Sequence, residues 1–323
     1  MHQITHRWKL GLILSLTTAV MWGLLPIAIK ELLKTMDPWT ITFYRFFGAT
    51  VLMGLYLLRK KQLPRLKQFT RPLIGLLSIC IIGLCANYIF FLFGLALTTP
   101  TTTQVLIQLA PMILLFGGLF IFKERFSFPQ WLGFMLFFVG LLLFFNKKLI
   151  IIFQGSGDYA LGVFYIIIAS VTWAAYALAQ KQLLKDFSSI AIMFMILTVG
   201  SFGFFSIAQL NQIYQLNMLG LGMLIFSSLN TAIAYGAFAE ALNHWEASRV
   251  SAILSLTPVI TVISLELLST FFHGYFQMEK LSWLTISGIL VVVVGSMLTA
   301  LGKKAVSKNS KEVDVREQPT ADL

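Results

Sequence analysis

Long apolar runs separated by short polar segments dominate this chain, and their length predicts helices that cross a membrane. A transmembrane helix needs about 17–25 mostly apolar residues, and ten segments reach that length. They cover residues 10–29, 39–58, 72–96, 100–121, 128–145, 159–183, 188–208, 217–242, 248–272 and 281–302. The pattern therefore predicts an all-α integral membrane protein with ten transmembrane helices.

One of these apolar segments occurs twice in related form. Residues 19–34 read AVMWGLLPIAIKELLK, residues 170–185 read SVTWAAYALAQKQLLK, and seven of the sixteen positions are identical. Matched pairs include Trp22 with Trp173, which apolar composition alone does not explain. An internal repeat in an apolar chain is typical of transporters built from two halves. With five spans in each half, the second copy is inverted, so we predict two inverted five-helix repeats.

A second set of matches extends the repeat to the end of each half. QLAP at 108–111 aligns with SLTP at 255–258, and Glu124 aligns with Glu279 after a further eight residues. The extra residues lie near FFHGYFQM in an outer loop, where added length is tolerated. The matches predict a first repeat over 1–148, a linker over 149–158, a second repeat over 159–302 and a disordered cytoplasmic tail over 303–323.

Composition and charge agree with a membrane protein. The chain is 58% apolar and 11% charged, whereas soluble domains carry about 25% charged residues. The net charge of +11 does not indicate nucleic-acid binding, because the basic residues lie in short loops. Eighteen Lys and Arg residues fall on one side of the predicted spans and five on the other. The positive-inside rule then predicts that both termini are cytoplasmic.

The order of these features resembles the EamA family of the drug/metabolite transporter superfamily. The residues that carry the resemblance are Trp22, Arg45, Pro111, Glu124, the segment ASRVSAILSLTPV at 247–259, and Glu279. The resemblance covers residues 10–302. It implies a ten-helix bacterial inner-membrane carrier, usually an exporter of amino acids or similar small metabolites.

Two charged side chains within the spans are candidates for function, since charges are costly in a bilayer and usually face a cavity or a partner. Arg45 either anchors a helix end by snorkelling or lines a central cavity, where it pairs with Glu266 or attracts a substrate carboxylate. Glu266 is predicted near mid-membrane. It is either a proton carrier that couples transport to protons or one half of a structural ion pair.

Paired prolines are the strongest symmetric feature of the two halves. Pro111 and Pro258 each remove a backbone hydrogen bond inside a predicted helix. Interruptions at matching positions indicate the binding region of a transporter, although a kink that only shapes packing is the alternative. We predict that both prolines act as hinges and that the neighbouring Gln108, Ser255 and Thr257 line the substrate site.

Aromatic residues within the spans complete the predicted site. Aromatic side chains at span ends are usually interfacial anchors, but several here fall within spans, where indole and phenol groups require polar partners. The candidates for substrate binding are Trp22, Tyr88, Trp173, Tyr176 and Tyr235.

The chain has no recognisable enzyme motif, and we expect neither catalysis nor a cofactor or metal. It contains no HExxH sequence, and its four histidines are scattered. We expect a secondary active transporter of the inner membrane that works by alternating access and exports amino acids or related small metabolites. A channel-like pore and a multidrug efflux carrier are the alternatives. The expected partners are a small-molecule substrate and the lipid bilayer, with the protein a monomer or weak homodimer.

Overall fold

The computed structural model describes residues 7–64, 69–121, 127–155, 157–245, 247–272, 276 and 281–302, and every regular element within them is helical. The α-helices are α1 Trp8–Leu32, α2 Pro38–Lys60, α3 Arg71–Leu97, α4 Pro100–Leu106, α5 Leu109–Ile121, α6 Phe128–Phe144, α7 Leu149–Phe153, α8 Asp158–Leu183, α9 Ser189–Phe205, α10 Met218–His244, α11 Ala247–Leu254, α12 Thr257–Phe271 and α13 Trp283–Leu301. A 3₁₀ helix spans Leu210–Gln215. The predicted all-α class is confirmed.

Within the described residues, seven stretches of helix are long and apolar enough to cross a membrane, the last two being Arg249–Phe271 and Trp283–Leu301. The shorter apolar helices α6 and α9 coincide with two further predicted spans. The predicted span 100–121 is divided between α4 and α5. The count of ten crossings, and their inverted arrangement, stays a prediction.

Polar residues at the helix starts explain where several helices begin. Asp37 accepts hydrogen bonds from the backbone nitrogens of Trp39 and Thr40 at the start of α2. Ser127 and Gln130 form a capping box at the start of α6, and the Ser282 hydroxyl accepts from the Thr285 nitrogen at the start of α13. Since caps satisfy the first backbone N–H groups of a helix, these short polar residues fix the helix ends.

Four pairs of helices form the main contacts of the bundle. α3 packs against α8, α1 against α10, α6 against α13, and α2 against α9. α12 packs against both α1 and α4. α1 therefore contacts α12 as well as α10 and α3, and these last two helices carry predicted site residues.

Glycines allow α6 and α13 to approach at backbone distance. A methyl group on Gly133 would lie 2.7 Å from the carbonyl oxygen of Gly295, and one on Gly140 would lie 2.9 Å from that of Gly288. Small residues at a helix interface permit this close contact inside membranes. The sequence repeat aligns Gly133 with Gly288 and Gly140 with Gly295. Gly133 therefore lies against the repeat equivalent of Gly140, and Gly140 lies against the repeat equivalent of Gly133.

Lys30, one of the lysines of the sequence repeat, closes the end of α3. Its Nζ donates to the carbonyl oxygens of Leu95, Ala96 and Thr98, each at 2.8 Å. The last carbonyls of a helix lack partners within the helix and carry partial negative charge. The Lys30 ammonium satisfies three of them from a neighbouring helix, and thereby ties α1 to α3.

Replacing Lys30 with methionine is expected to lower the free energy of unfolding by about 2 kcal/mol, because three carbonyls at the end of α3, two of them in partly buried hydrogen bonds, lose a charged donor. Lys34→Met is the matched control, since Lys34 is exposed and pairs with Glu31, and such surface pairs contribute about 0–1 kcal/mol. Thermal or denaturant unfolding in detergent measures both. Equal effects of the two substitutions would contradict the capping role.

The remaining predicted segments are only partly described. The predicted linker contains the short helix α7. Both cysteines, Cys80 and Cys85, are free thiols within α3. The tail 303–323, Glu124 and Glu279 lie outside the described residues.

Candidate functional site

Two helices are interrupted at positions that the sequence repeat aligns. α4 ends at Leu106 and α5 begins at Leu109, while α11 ends at Leu254 and α12 begins at Thr257. Pro111 and Pro258 follow shortly after each break. A proline at these positions cannot donate to the carbonyl four residues earlier, and the Ala110 nitrogen instead bonds the Ile107 oxygen at 2.9 Å in a tighter turn.

The two interruptions contact each other directly. Gln108 Nε2 donates to the carbonyl oxygen of Ser255 at 3.2 Å, and these residues are repeat equivalents separated by 147 positions. Thr257 is buried beside them. Thr261 Oγ1 donates to the carbonyl oxygen of Gly23 at 2.6 Å, so α1 is attached to the second break. The structure thus brings Gln108, Ser255 and Thr257 together.

Arg45 is buried inside the bundle, with only 2% of its surface exposed. Its guanidinium lies 4.6 Å from the centre of the Tyr88 ring, and one terminal nitrogen donates to Thr231 Oγ1 at 3.3 Å. Its Nε has no hydrogen-bond partner. A snorkelling side chain would extend to the surface, so the anchoring interpretation of Arg45 is wrong.

Three tyrosines from different helices lie in this region. The Tyr88 ring from α3 faces the guanidinium, and Tyr88 shares a buried cluster with Tyr176 from α8, against which Tyr235 from α10 packs. Tyr88 and Tyr176 are buried, and Tyr235 is half-buried. Side chains from four helices therefore form one cluster, and its role as a substrate site stays a prediction.

The two repeat-related tryptophans lie at the edge of the tyrosine cluster. Trp22 meets Tyr235 edge to face, with ring centroids 5.3 Å apart, and also contacts Phe238 at 5.8 Å. Trp173 lies 6.4 Å from Tyr176, whose hydroxyl donates to the Met193 sulfur at 3.2 Å. Both tryptophans are half-buried near the middle of their helices, whereas the Tyr176 hydroxyl is buried and already engaged.

Two residues of the cluster are absent from the sequence-based set. Thr231 holds the Arg45 guanidinium, and Phe238 contacts Trp22. They lie four residues before and three residues after Tyr235, on the same face of α10. Helical spacing from Tyr235 was therefore the available signal for both.

The structure separates Glu266 from Arg45, so the predicted ion pair between them is wrong. The buried face of α12 includes Thr261 and Leu265, whereas Glu266 follows Leu265 by one residue and is exposed. One residue rotates a side chain by about 100° around a helix. Glu266 also lies five residues from the end of α12 at Phe271, which is about 8 Å along the helix axis.

Glu266→Gln is expected to leave the dependence of transport on a pH gradient unchanged, because Glu266 is exposed on α12 and lies away from the buried Arg45 cluster. Reconstituted vesicles with an imposed pH gradient measure this, and the unmodified protein is the reference. Loss of pH-driven flux with substrate exchange intact would instead restore the proton-carrier role predicted from the sequence.

Comparison with known families decides the class of the protein. The model of the EamA-like transporter family matches residues 9–146 and again residues 160–301. The chain belongs to the EamA family. Both matches include helices of the cluster described above, and the resemblance on Trp22, Arg45 and the paired prolines is confirmed at the level of the family. The chain is a multi-pass membrane protein and a transporter of this family.

Relatives of this EamA protein are also named as transporters. The uncharacterized inner membrane transporter YhbE of Escherichia coli (strain K12) is 40% identical over 313 residues, which are 97% of this chain and 98% of that protein. An uncharacterized transporter of Haemophilus influenzae is 37% identical over 295 residues, covering 91% and 96%. A probable amino-acid metabolite efflux pump of Escherichia coli (strain K12) is 23% identical over 314 residues, which are 92% of this chain and 98% of that protein.

A solved structure shares the fold of this EamA protein. A chain of known crystal structure superposes with a TM-score of 0.62 at 14% identity and covers 90% of this chain and 96% of its own length. Among the residues that the structure describes, no group of three His, Cys, Asp or Glu side chains could hold a metal ion.

Proposed function

We propose that this protein is a secondary active transporter that exports amino acids or related small metabolites across the inner membrane. The proposed mechanism is alternating access, in which two inverted five-helix halves rock around a central site. The observation that carries the proposal is the cluster of Arg45, Tyr88 and Tyr235 within the bundle, attached through α1 to two interrupted helices. Interrupted helices at matching positions form substrate sites in transporters with inverted repeats.

The pattern of helix contacts supports the inverted arrangement. A two-fold operation that exchanges the halves converts the α1–α10 contact into the α8–α3 contact, and both are among the main contacts. The same operation exchanges the Gly133–Gly295 contact with the Gly288–Gly140 contact. The operation exchanges Gln108 with Ser255 and so leaves their contact unchanged, which is expected of residues close to the two-fold axis.

A counterflow assay tests the proposed carrier function. Purified protein in liposomes loaded with one unlabelled amino acid is given a trace of the labelled form outside, across the twenty standard amino acids and their deaminated acids. A carrier accumulates label transiently and saturably, since each crossing exchanges one bound molecule. Flux that neither saturates nor shows counterflow would favour a channel-like pore, and transport restricted to lipophilic cations would favour a multidrug carrier.

The inverted arrangement predicts opposite accessibility for two equivalent lysines. Lys34 and Lys185 are separated by 151 positions and both are exposed. In a background with Cys80→Ala and Cys85→Ala, Lys34→Cys is expected to react with a membrane-impermeant maleimide from the periplasmic side of intact cells. Lys185→Cys should react only after the inner membrane is opened. Labelling of both from one side would contradict the inverted repeat.

A further inference from the structure

The positive charge of Arg45 has no acidic partner among the residues that the structure describes. Glu31 pairs with Lys34, Glu240 approaches His244 at 3.1 Å, and Glu266 is exposed on α12. The neighbours of the guanidinium are instead the Tyr88 ring and the Thr231 hydroxyl, with Nε unsatisfied. A buried cation that lacks a counter-charge is costly, so a ligand that supplies the missing negative charge is stabilised there.

The field of this cation extends to the reachable edge of the cluster. The Arg45 guanidinium faces the Tyr88 ring and bonds Thr231, one turn before Tyr235 on α10, and Tyr235 in turn contacts Trp22. Buried charges are screened far less than exposed ones, whose interactions fade over about 8–10 Å at physiological salt. Trp22 and Tyr235 are half-buried, so a molecule that reaches them enters a region of positive potential.

The phenol groups offer the contacts that a carboxylate requires. A phenol O–H can donate to a carboxylate oxygen, and such charge-assisted hydrogen bonds are short and strong. The rings of Trp22 and Phe238 would accommodate an apolar side chain beside it. Aromatic rings alone would also suit a quaternary ammonium group, but the Arg45 guanidinium already faces the Tyr88 ring and repels a second cation.

We propose that this cluster is an anion-selective site that takes carboxylate-bearing metabolites and rejects lipophilic cations. The assignment rests on the carrier function proposed above and narrows its substrate class. Arg45 supplies the charge that selects, Tyr88 and Tyr235 supply hydrogen bonds, and Trp22 contacts the apolar part of the ligand. A zwitterionic amino acid or a deaminated acid fits this site, whereas its amide or methyl ester lacks the required charge.

Two thiol reagents of similar size and opposite charge test the sign of the field without a known substrate. Trp22→Cys is prepared in the background with Cys80→Ala and Cys85→Ala, and purified protein reacts with 2-sulfonatoethyl methanethiosulfonate or with its 2-trimethylammonioethyl counterpart. The ratio of anionic to cationic reaction rates is divided by the ratio for free 2-mercaptoethanol. We expect a normalised ratio of at least 10, because Arg45 attracts one reagent and repels the other.

Substitutions of Arg45 assign the effect to this residue. Arg45→Gln is expected to lower the ratio at least tenfold, and Arg45→Lys to keep most of it, since the charge remains. Tyr214→Cys, on a side chain that is 89% exposed, is the control, and its ratio should not change with Arg45→Gln. If Arg45→Gln does not fold, the ratio measured with Arg45 intact decides alone. If Trp22→Cys does not fold, Phe238→Cys takes its place.

A normalised ratio near or below 1 with Arg45 present would overturn the proposal, as would a thiol at this position that reacts with neither reagent. The assay requires no transport, so it separates the two proposals. A high ratio without counterflow of any amino acid would leave the anion site standing and remove the carrier function assigned above. Counterflow of cations with a low ratio would keep a carrier and remove its anion selectivity.

Discussion

Gly140→Ala is expected to destabilise the protein by at least about 2 kcal/mol, in the range found for overpacked interiors. The added methyl group would lie 2.5 Å from the backbone nitrogen of Val292 and 2.9 Å from the carbonyl oxygen of Gly288. Neither atom belongs to a flexible side chain, so the helices α6 and α13 must separate along their contact. The loss of stability is measured by heating the protein in detergent and recording the temperature at which half of it has aggregated.

Glycines with open surroundings provide the control for Gly140. Gly203 in α9 and Gly222 in α10 have nothing within 4 Å of an added methyl group. Alanine at either position should be neutral or stabilising by up to about 1 kcal/mol, since alanine is the better helix former. If Gly140→Ala behaves like these two, the close approach of α6 and α13 is not a requirement of the fold.

Trp22→Ala and Tyr235→Ala are each expected to weaken substrate binding at least tenfold, with the folded yield largely retained. Both side chains are half-buried within the bundle, and their edge-to-face contact at 5.3 Å holds each ring in place for a ligand. Loss of either ring removes contact area for the ligand and also disorders the other ring. The KM for counterflow, measured with whichever amino acid gives the largest signal, is the readout.

Trp39 offers a matched aromatic pair outside the cluster. It meets Phe93 edge to face with centroids 5.6 Å apart, close to the geometry of the Trp22–Tyr235 pair. Trp39→Ala should reduce stability while leaving KM within about twofold, because aromatic pairs contribute about 0.5–1.5 kcal/mol beyond buried area. Equal changes of KM in all three variants would argue that they act through stability and not through a binding site.

Much of the fold could be predicted because its signals are local and occur twice. The apolar runs predicted α2 within two residues of its ends, Pro38–Lys60, and the paired prolines predicted the breaks that precede α5 and α12. The clustering of Trp22, Tyr88 and Tyr235 followed from their positions within spans. Each of these inferences depended on the spacing of residues along one segment, which a single sequence shows directly.

What the sequence could not provide were partners from distant segments and the rotation of a side chain around its helix. Lys30 was counted only as an orientation signal, yet it bonds carbonyls 65 to 68 residues away. Glu266 was predicted near mid-membrane and facing Arg45, but it is exposed and lies five residues from the end of α12. Because successive residues are rotated by about 100° around a helix, the side on which a residue lies matters only once the neighbouring helices are in place. Tertiary packing sets their positions.

The contact between Gln108 and Ser255 has a consequence for the energies of the transport cycle. Two identical halves that exchanged roles would open to either side of the membrane with equal free energy. Gln108 reaches the Ser255 carbonyl, but the serine hydroxyl is too short to reciprocate and instead donates to the Ser251 carbonyl of its own helix at 3.0 Å. The duplicated halves are therefore unequal at the place where they meet, so the proposed alternating-access cycle is expected to have two unloaded states of unequal free energy.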